Sequence, residues 1–579
     1  MMKRYITNIL IAASVLLTAS CNDDFLERYP KSSVSQETFF TTASELETYC
    51  RSFYSMLPGA EDMVTNVCQA DDIATTTVPT EFTGLRTTPG SGGGWTWTGL
   101  RNINFFLENS YRCEDVSVRR TYDGVARFWR AYFYFTMMQR FGDLPWYDKV
   151  IGQHDTEALM KPRDSRSFIY EKIIEDLDYA IEYAPSTVDP CTISKYTAMA
   201  LKSRVGLFEG TFRKYRNYEG WKECLEDCVD ASDRLMKSGV YHVHTSTKNS
   251  AYGEMFLVDT PYNEFILAKT YNGKLSRNHY LNLHIQGSSN SHPSMPRDAF
   301  LSYLCTDGTP YTSKSGYATE SFYESTQNRD PRLSQTIRTQ NYSYPGQSEK
   351  LQPDFNATTT GYQLSKYVTN VTTVNGTNSI PYLRYSEVLL NFAEAKAELG
   401  TIQQTDINRS IKLLRDRVGM PNLEITYANS HPDPYLASLY LNLPAGGNQG
   451  LLLEIRRERR VELYLEGLRY YDIVRWKEGQ KFTKPSNGMY IAGEGFIDFD
   501  NDGVNDLCIY SGSEPAHVGS CQYVNIASLT LSNGKSGEII VNANIRRTWS
   551  EEKDYLYPLP LEDLQLNKNL VQNYGWDER

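Results

Sequence analysis

The most informative segment of the chain reads EIRRERRVELYLEGLRYYDIVRW and runs from Glu454 to Trp476. Val461, Leu465 and Leu468 recur at three- to four-residue spacing, which predicts one apolar stripe on a helix. Glu and Arg crowd the remaining faces so closely that these charges must pair with one another or with a neighbouring helix. The period alone fits a helix packed between other helices and a solvated surface helix equally well.

The order of residue types in this segment resembles the C-terminal hallmark of the SusD/RagB family of outer-membrane nutrient-binding lipoproteins. Further segments are similar to motifs of that family and occur in the family's order. They are residues 125–135 with 141–145 after them, 161–164, 200–204, 381–395, and 557–560 with Asn567, Gln572 and Asn573. Each motif alone is weak, and their shared order makes the resemblance specific.

The resemblance implies a mainly α fold, a tetratricopeptide-like scaffold of helix pairs with long irregular loops and a few short strands. Helical periodicity dominates four zones, at roughly residues 36–57, 99–140, 165–238 and 382–476. The sequence contains no clean repeat of about 34 residues, so periodicity by itself does not predict this scaffold.

No Pro- or Ser-rich linker divides the chain, so we expect residues 21–579 to form one large domain. Its N-terminal part covers about 21–240, and its C-terminal part, with the hallmark motifs, covers about 241–579. Residues 485–550 hold Gly, Asp, Asn and short alternating stretches, which predict strands. Long irregular segments in a compact protein are usually functional or disordered, so we expect the loops to carry ligand contacts.

Residues 1–20 have the layout of a bacterial lipoprotein signal. Lys3 and Arg4 precede a short apolar run that ends at Leu17, and small residues lead from there to Cys21. A run this short does not span a bilayer, which needs about 20 apolar residues. We expect Cys21 to be lipidated and to become the mature N-terminus, with this anchor as the only membrane attachment. The alternative is an ordinary signal peptide with an incidental cysteine.

The residues after Cys21 and the net charge bear on location and ligand. Asn22, Asp23 and Asp24 follow the cysteine, a pattern that accompanies export to the cell surface in Bacteroidetes lipoproteins. Removing the signal takes two basic residues and no acid, so the net charge falls from −11 to −13. This acidity argues against nucleic acid and against adsorption to an anionic membrane. It fits a neutral or weakly charged ligand better than a polyanion.

The segment Gly90-Ser-Gly-Gly-Gly94 followed by Trp95-Thr-Trp97 contains the best candidates for glycan contacts. A Gly-rich segment packs no core of its own, which favours partial exposure of the two tryptophans. In an extended segment, side chains at i and i+2 point the same way. The alternative is that one or both tryptophans anchor the loop in the core.

The family resemblance supports this location for the ligand site. In the SusD/RagB family a tryptophan in this loop, ahead of the helix that corresponds here to residues 100–108, often forms part of an aromatic glycan platform. Asn102 lies just beyond Trp97 and could exchange hydrogen bonds with sugar hydroxyls. Family members also contribute aromatic residues from the irregular zone around 271–284, where Tyr280 is our candidate. A structural role for Tyr280 is the competing interpretation.

The acidic segment from Asp498 to Asp506 resembles a calcium loop of the Asp-x-Asp-x-Asp-Gly type. Carboxylates at alternate positions converge on a hard cation, and Gly503 allows the sharp turn. The candidate ligands are Asp498, Asp500, Asp502 and Asp506. The glutamate that closes an EF-hand at loop position twelve is missing, because Ile509 stands there. We therefore expect a structural Ca²⁺ site, with a solvated acidic turn as the alternative.

Signatures of catalysis are absent from the sequence. It contains no nucleophile elbow, phosphate-binding loop or zinc-protease helix. The resemblance implies a cell-surface lipoprotein that captures oligosaccharide or polysaccharide and delivers it to a SusC-like TonB-dependent transporter, without cleaving bonds. Two alternatives stay open. One is a surface glycoside hydrolase, because 70 acidic residues allow many carboxylate pairs, and the other is capture of a different nutrient, such as peptide.

Overall fold

Helices form the scaffold of the computed structural model, which describes residues 39–246, 249–287, 291–369 and 375–577. The helices are, in chain order, α1 (Ala43–Arg51), α2 (Thr98–Asn109), α3 (Val116–Phe141), α4 (Thr156–Leu159), α5 (Arg166–Tyr183), α6 (Lys195–Lys214), α7 (Trp221–Ser238), α8 (Ala251–Glu254), α9 (Leu281–Gln286), α10 (Arg297–Ser302), α11 (Phe322–Thr326), α12 (Tyr385–Leu399), α13 (Gln404–Asn408), α14 (Ile411–Arg417), α15 (Ile425–Ser430), α16 (Pro434–Leu439), α17 (Gln449–Glu462), α18 (Arg469–Arg475) and α19 (Leu561–Leu566). The predicted mainly α fold is confirmed. The signal and Cys21 lie outside the described residues.

The longer helices pack side by side in a continuous array. Helix α3 packs on α5, α5 on α6, α6 on α7, α7 on α12, and α12 on α17. Ser165 caps α5, and its hydroxyl accepts a hydrogen bond from the Phe168 amide at 3.3 Å. Helices α6 and α7 approach closely at Gly206, where an added Cβ would lie 2.6 Å from the Cys224 carbonyl oxygen.

Short strands supply three small sheets in the irregular zones. The strands are β1 (Phe265–Lys269), β2 (Ile380–Arg384), β3 (Ser486–Ile491), β4 (Gly495–Ile497), β5 (Leu507–Tyr510), β6 (Gln522–Asn525) and β7 (Gly537–Val541). β1 pairs with β2, β3 with β7, and β4 with β5 in antiparallel fashion, while β5 and β6 are parallel. The strands predicted within 485–550 are confirmed as β3 to β7.

The hallmark segment forms two helices, so the prediction of one helix from Glu454 to Trp476 is wrong. Helix α17 ends at Glu462, a turn follows, and α18 begins at Arg469. The turn contains Leu465 with φ of 60° and Gly467 with φ of 73°, both in the left-handed region. This backbone conformation stops the helix although the apolar period continues through it.

The charges of α17 are buried and pair with neighbouring elements. Arg332, Arg384 and Arg417 all contact the Glu462 carboxylate, at 3.0, 2.7 and 2.5 Å. The α17 residues Arg459 and Arg460 pair with Asp472 and Asp72. The solvated surface helix that the period allowed is therefore not what the chain forms, and α17 ties the helical array to irregular segments at Asp72 and Arg332.

The described structure has two large apolar cores and a small third cluster where α6, α7 and α12 meet. The first lies between the helices and includes α3, α5, α6 and α12 together with the tryptophan segment at 95–97. The second lies beneath the strands and loops and takes its residues from 60–74 and from 252–541. Across the described parts of the chain, no helix combines the length and the apolar character that crossing a membrane requires.

Candidate functional site

The tryptophan segment, residues 95–97, lies between two cavities. Gly92, Gly93 and Gly94 have φ of 71°, 60° and 87°, which other residues rarely adopt, and they turn the chain into the segment. Trp95 and Trp97 both line a cavity of about 690 Å³, which we call the Trp cavity. The two side chains therefore reach the same cavity, although Trp97, with φ of -114° and ψ of 2°, is not in the extended conformation that the prediction assumed.

The two tryptophans are buried to different extents. Trp95 is 6% exposed, and its ring contacts the rings of Trp97 and Phe141 edge-on at 5.2 and 5.0 Å. Trp97 is half-buried, with the rings of Phe133 and Tyr147 at 5.7 and 5.6 Å. Trp95 is therefore a core residue at the edge of the cavity, whereas Trp97 retains surface that a ligand can cover.

The wall of the Trp cavity is mostly apolar, with polar groups from α2 and the segment after α3. Its apolar part includes Leu100, Pro145, Ile151, Leu159, Leu566 and Leu570. Asn104 is buried and donates hydrogen bonds to the carbonyl oxygens of Tyr147 and Lys149 at 3.0 and 3.2 Å. Arg101 donates to the Ile151 carbonyl at 2.7 Å. Flat apolar faces beside a few polar groups suit a sugar ring, which has apolar C–H faces and polar edges.

A second cavity, the central cavity, has a volume of about 500 Å³ and lies on the other side of the tryptophan segment. Gly94 and Thr96 line it, together with residues of α3, α6 and the hallmark turn. Its exposed lining residues are Pro58, Asp62, Gly94 and Thr96, which mark its mouth. The tryptophan segment thus presents alternate residues to two different cavities.

The charged residues on the floor of the central cavity are paired within the protein. Arg204 binds the Glu387 carboxylate at 2.6 Å, and Arg459 binds Asp472 at 2.8 Å. Burial alone would raise the pKa of Asp472, but the guanidinium groups of Arg459 and Arg475 outweigh burial and hold this pKa below its usual range. The floor therefore offers no free charge to a ligand.

Two of the predicted contact residues lie outside both cavities. Asn102 is exposed on α2, and Tyr280 is 52% exposed at the start of α9. The backbone amide of Tyr280 donates to the Glu61 carboxylate at 2.5 Å. Because Glu61 precedes Asp62, Tyr280 lies near the mouth of the central cavity. Neither residue's predicted ligand role is tested by these positions.

The acidic loop brings together three of the four predicted calcium ligands. Carboxylate oxygens of Asp498, Asp500 and Asp506 lie within 4.8 Å of one another. Asp502 stands outside this group, and its carboxylate accepts a hydrogen bond from the Val504 amide at 2.8 Å. Burial, followed by the neighbouring carboxylates, raises the pKa of Asp506 to about 6. Three carboxylates that repel one another at this range form an arrangement that a divalent cation would stabilise.

Sequence reasoning missed the polar residues of the central cavity. Tyr132, Thr136 and Gln139 line it from α3, and Tyr471 lines it from α18. The first three stand at positions i, i+4 and i+7, one face of a helix that is otherwise largely apolar on its buried side. This polar stripe was the available signal. The sequence contained no such signal for Tyr471, because its position depends on the turn between α17 and α18.

Comparison with known families places the chain in one of them. The sequence model described as "SusD family" matches residues 263–576, and a model described as "Starch-binding associating with outer membrane" matches residues 96–207. The protein belongs to the SusD family.

Individual relatives agree with this assignment. SusD-like protein P2 of Formosa agariphila is 26% identical over 384 residues, which cover 63% of this chain and 66% of that protein, slightly under two thirds of its length. SusD-like protein P38 of the same organism is 23% identical over 523 residues, which cover 83% of this chain and 92% of that protein. A SusD-like carbohydrate binding protein from Bacteroides fragilis, 19% identical, superposes with a TM-score of 0.69 over 92% of this chain and 100% of its own, a likeness of fold.

Proposed function

We propose that this protein is a surface-exposed, lipid-anchored glycan-binding protein. It captures oligosaccharide or polysaccharide and passes it to a SusC-like TonB-dependent transporter in the outer membrane. Binding, without bond cleavage, is its activity.

One observation carries the proposal: half-buried Trp97 lines an open apolar cavity, in a segment that belongs to a SusD-family chain. Covering the C–H face of a sugar with an aromatic ring uses apolar area that hydroxyl contacts alone do not replace. The family descriptions and relatives support the same ligand class. One model is described as starch-binding, and a structural neighbour is named a carbohydrate binding protein.

The glycoside hydrolase alternative receives little support from the cavity linings. Hydrolysis needs two carboxylates across the scissile bond, and one of them acts as an acid with a raised pKa. Asp563 has a raised pKa, and it is the one carboxylate among the described lining residues of the Trp cavity. In the central cavity, Glu466 and Asp472 are paired and have lowered pKa values. Glu466 and Asp472 suit ion pairing rather than proton donation, and Asp62 at the mouth accepts a hydrogen bond from the Gly59 amide. Asp563 has no second carboxylate beside it in the described lining of the Trp cavity.

The proposal includes a structural calcium ion held by Asp498, Asp500 and Asp506. Phe499, between two of these residues, is fully buried and packs on Phe322 and Phe355 at 5.1 and 6.1 Å. A cation there would neutralise the three carboxylates and fix the connection between β4 and β5 on the second core. This role is separate from glycan binding.

Affinity electrophoresis together with a reducing-sugar assay tests the proposed activity. The purified chain should be retarded in gels that contain at least one polysaccharide of a panel, and the same polysaccharide should release no reducing ends. Release of reducing ends, absent from a mock preparation, would favour the hydrolase. Retardation by no polysaccharide would contradict glycan capture.

A further inference from the structure

We infer that the central cavity is a second ligand site, which takes a neutral saccharide unit such as a chain end or a short branch. This inference rests on the proposed glycan binding and adds a subsite that is distinct from the Trp cavity. The tryptophan segment forms the wall between the two sites.

The cavity contains hydrogen-bonding groups without protein partners. Gln139 is 8% exposed and lines the cavity, and its side chain makes no hydrogen bond within the described residues. The same holds for the hydroxyls of Tyr132 and Tyr471, again counting partners only in the described parts of the chain. Gln139 is buried and the two tyrosines are partly buried. Three hydrogen-bonding groups without protein partners among the described residues, all on one cavity wall, suit a polar occupant.

The lining residues define the chemistry of that occupant. The guanidinium groups on the floor are engaged by carboxylates, and Glu466 is held by Arg384 and Lys366 at 2.7 and 2.9 Å. Asp62 at the mouth accepts from the Gly59 amide at 2.7 Å. Because the described lining residues include no unpaired cation, the cavity does not favour an anion, and the side chains of Gln139, Tyr132 and Tyr471 match a neutral polyol.

Apolar surface lies beside these polar groups. Phe133, Phe208, Met63 and Met137 line the cavity along with the two tyrosine rings. A sugar ring needs this combination, because its C–H faces are apolar and its edges carry hydroxyls. The volume of about 500 Å³ lies toward the lower end of the ~300–1,000 Å³ of small-molecule sites. The cavity therefore suits a short saccharide unit rather than a long chain.

The mouth of the central cavity lies close to Trp97, the proposed glycan contact. Thr96 is exposed there, directly between Trp95 and Trp97 in sequence. Tyr280 lies near the same mouth through its hydrogen bond to Glu61. A glycan held at Trp97 could therefore extend across the tryptophan segment and place one terminal unit in the central cavity.

Saturation-transfer difference NMR with methyl glycosides of glucose, galactose, mannose and xylose tests the site. At least one glycoside should receive saturation from the wild-type chain. Tyr471→Phe and Gln139→Leu each remove hydrogen-bonding groups at nearly constant shape, and each should weaken this binding by roughly two- to tenfold. Tyr218→Phe is the matched control, because Tyr218 is 53% exposed and lines neither cavity. It should leave binding unchanged.

The outcomes separate this inference from the proposed function. Saturation of none of the four glycosides, or equal affinities for wild type and both cavity variants, would overturn the inference, even if polysaccharide gels still retard the protein. A glycoside that binds in the central cavity, combined with no retardation by any polysaccharide, would uphold the site and contradict polysaccharide capture. Melting temperatures identify a variant that fails to fold. If Gln139→Leu does not fold, the binding measured for Tyr471→Phe decides the result.

Discussion

Trp95 and Trp97 are two residues apart, yet their surroundings give them different tasks. Trp95 is a buried residue that contacts Phe141, whereas Trp97 is half-buried on an open cavity. Trp97→Ala should therefore weaken glycan binding by roughly ten- to hundredfold, as expected for an aromatic anchor. Trp95→Ala should instead lower the free energy of unfolding by about 3–5 kcal/mol. Chemical denaturation and affinity electrophoresis on both variants measure these effects.

The reverse pattern would contradict this division. If Trp95→Ala unfolds like wild type and loses binding, Trp95 is the ligand contact. If Trp97→Ala is strongly destabilised and its folded fraction still binds, the site lies elsewhere, and the region of Tyr280 becomes the next candidate.

The carboxylates of the acidic loop predict a calcium effect that depends on pH. The raised pKa of Asp506, about 6, means that protons compete with the cation as the pH falls through this value. Calcium should raise the melting temperature at neutral pH by mass action, and the increment should shrink below about pH 6. Without calcium, the pH dependence of stability is opposite. Protonation of Asp506 favours the folded state below about pH 6, and this stabilisation is lost as the pH rises through that value.

Two aspartate variants provide the control for the calcium prediction. Asp500→Asn should abolish the calcium increment, because Asp500 belongs to the group of three. Asp502→Asn should reduce it far less, because the Asp502 carboxylate lies outside that group. Equal melting temperatures of the wild-type chain in calcium and in chelator would contradict the calcium site and favour a solvated acidic turn.

At the scale of single elements, α17 is held by buried ion pairs. Burial alone would raise the pKa of Glu462, but Arg417, Arg384 and Arg332 outweigh burial and hold this pKa below its usual range. Glu462→Gln leaves three guanidinium groups short of a partner and should cost about 3–5 kcal/mol of unfolding free energy. Denaturant titration measures the loss, with Glu47→Gln, an exposed partner of Arg51, as a control that should change little.

This ionic contribution should also depend on pH. A carboxylate with a lowered pKa stabilises the folded state at neutral pH, and the stabilisation is lost as the pH falls below about 4. The stability difference between wild type and Glu462→Gln should therefore narrow in acid. A constant difference from neutral pH to acid would show that the variant acts through packing and not through charge.

The elements also show where sequence reasoning succeeded and where it stopped. Apolar periodicity placed the helical zones, and the structure shows that Ser165 is the N-cap of α5. The break at Leu465 was hidden, because the apolar period continues across the turn while φ becomes positive. Contacts distant in sequence hold that turn, since Glu466 binds Arg384 and Lys366. Local patterns do not record such partners.

The candidate site, like the helices, could be predicted only in part from the sequence. The Gly-rich turn and its two tryptophans could be found because they are contiguous. The cavities could not, because their walls join segments hundreds of positions apart, such as Gln139 with Tyr471 and Trp97 with Leu570. A wall of this kind exists only after the helical array has formed.

At the scale of the whole molecule, the proposed lipid anchor at Cys21 predicts that the protein is held at the outer membrane. If Cys21 is acylated, Cys21→Ala should release the protein from the membrane fraction. Immunoblots of fractionated cells that lack the partner transporter measure this, since the transporter could otherwise retain the variant. A variant that still sediments with the outer membrane in those cells would contradict lipid anchoring.

The central proposal is that the protein captures a glycan at the tryptophan segment without cleaving it. Affinity electrophoresis of wild type and Trp97→Ala against a polysaccharide panel, with reducing ends assayed on the same polysaccharides, tests it most directly. The account predicts that at least one polysaccharide retards the wild-type chain, that Trp97→Ala migrates freely in that gel, and that no reducing ends appear. Equal retardation of both proteins, or the release of reducing ends, would contradict it.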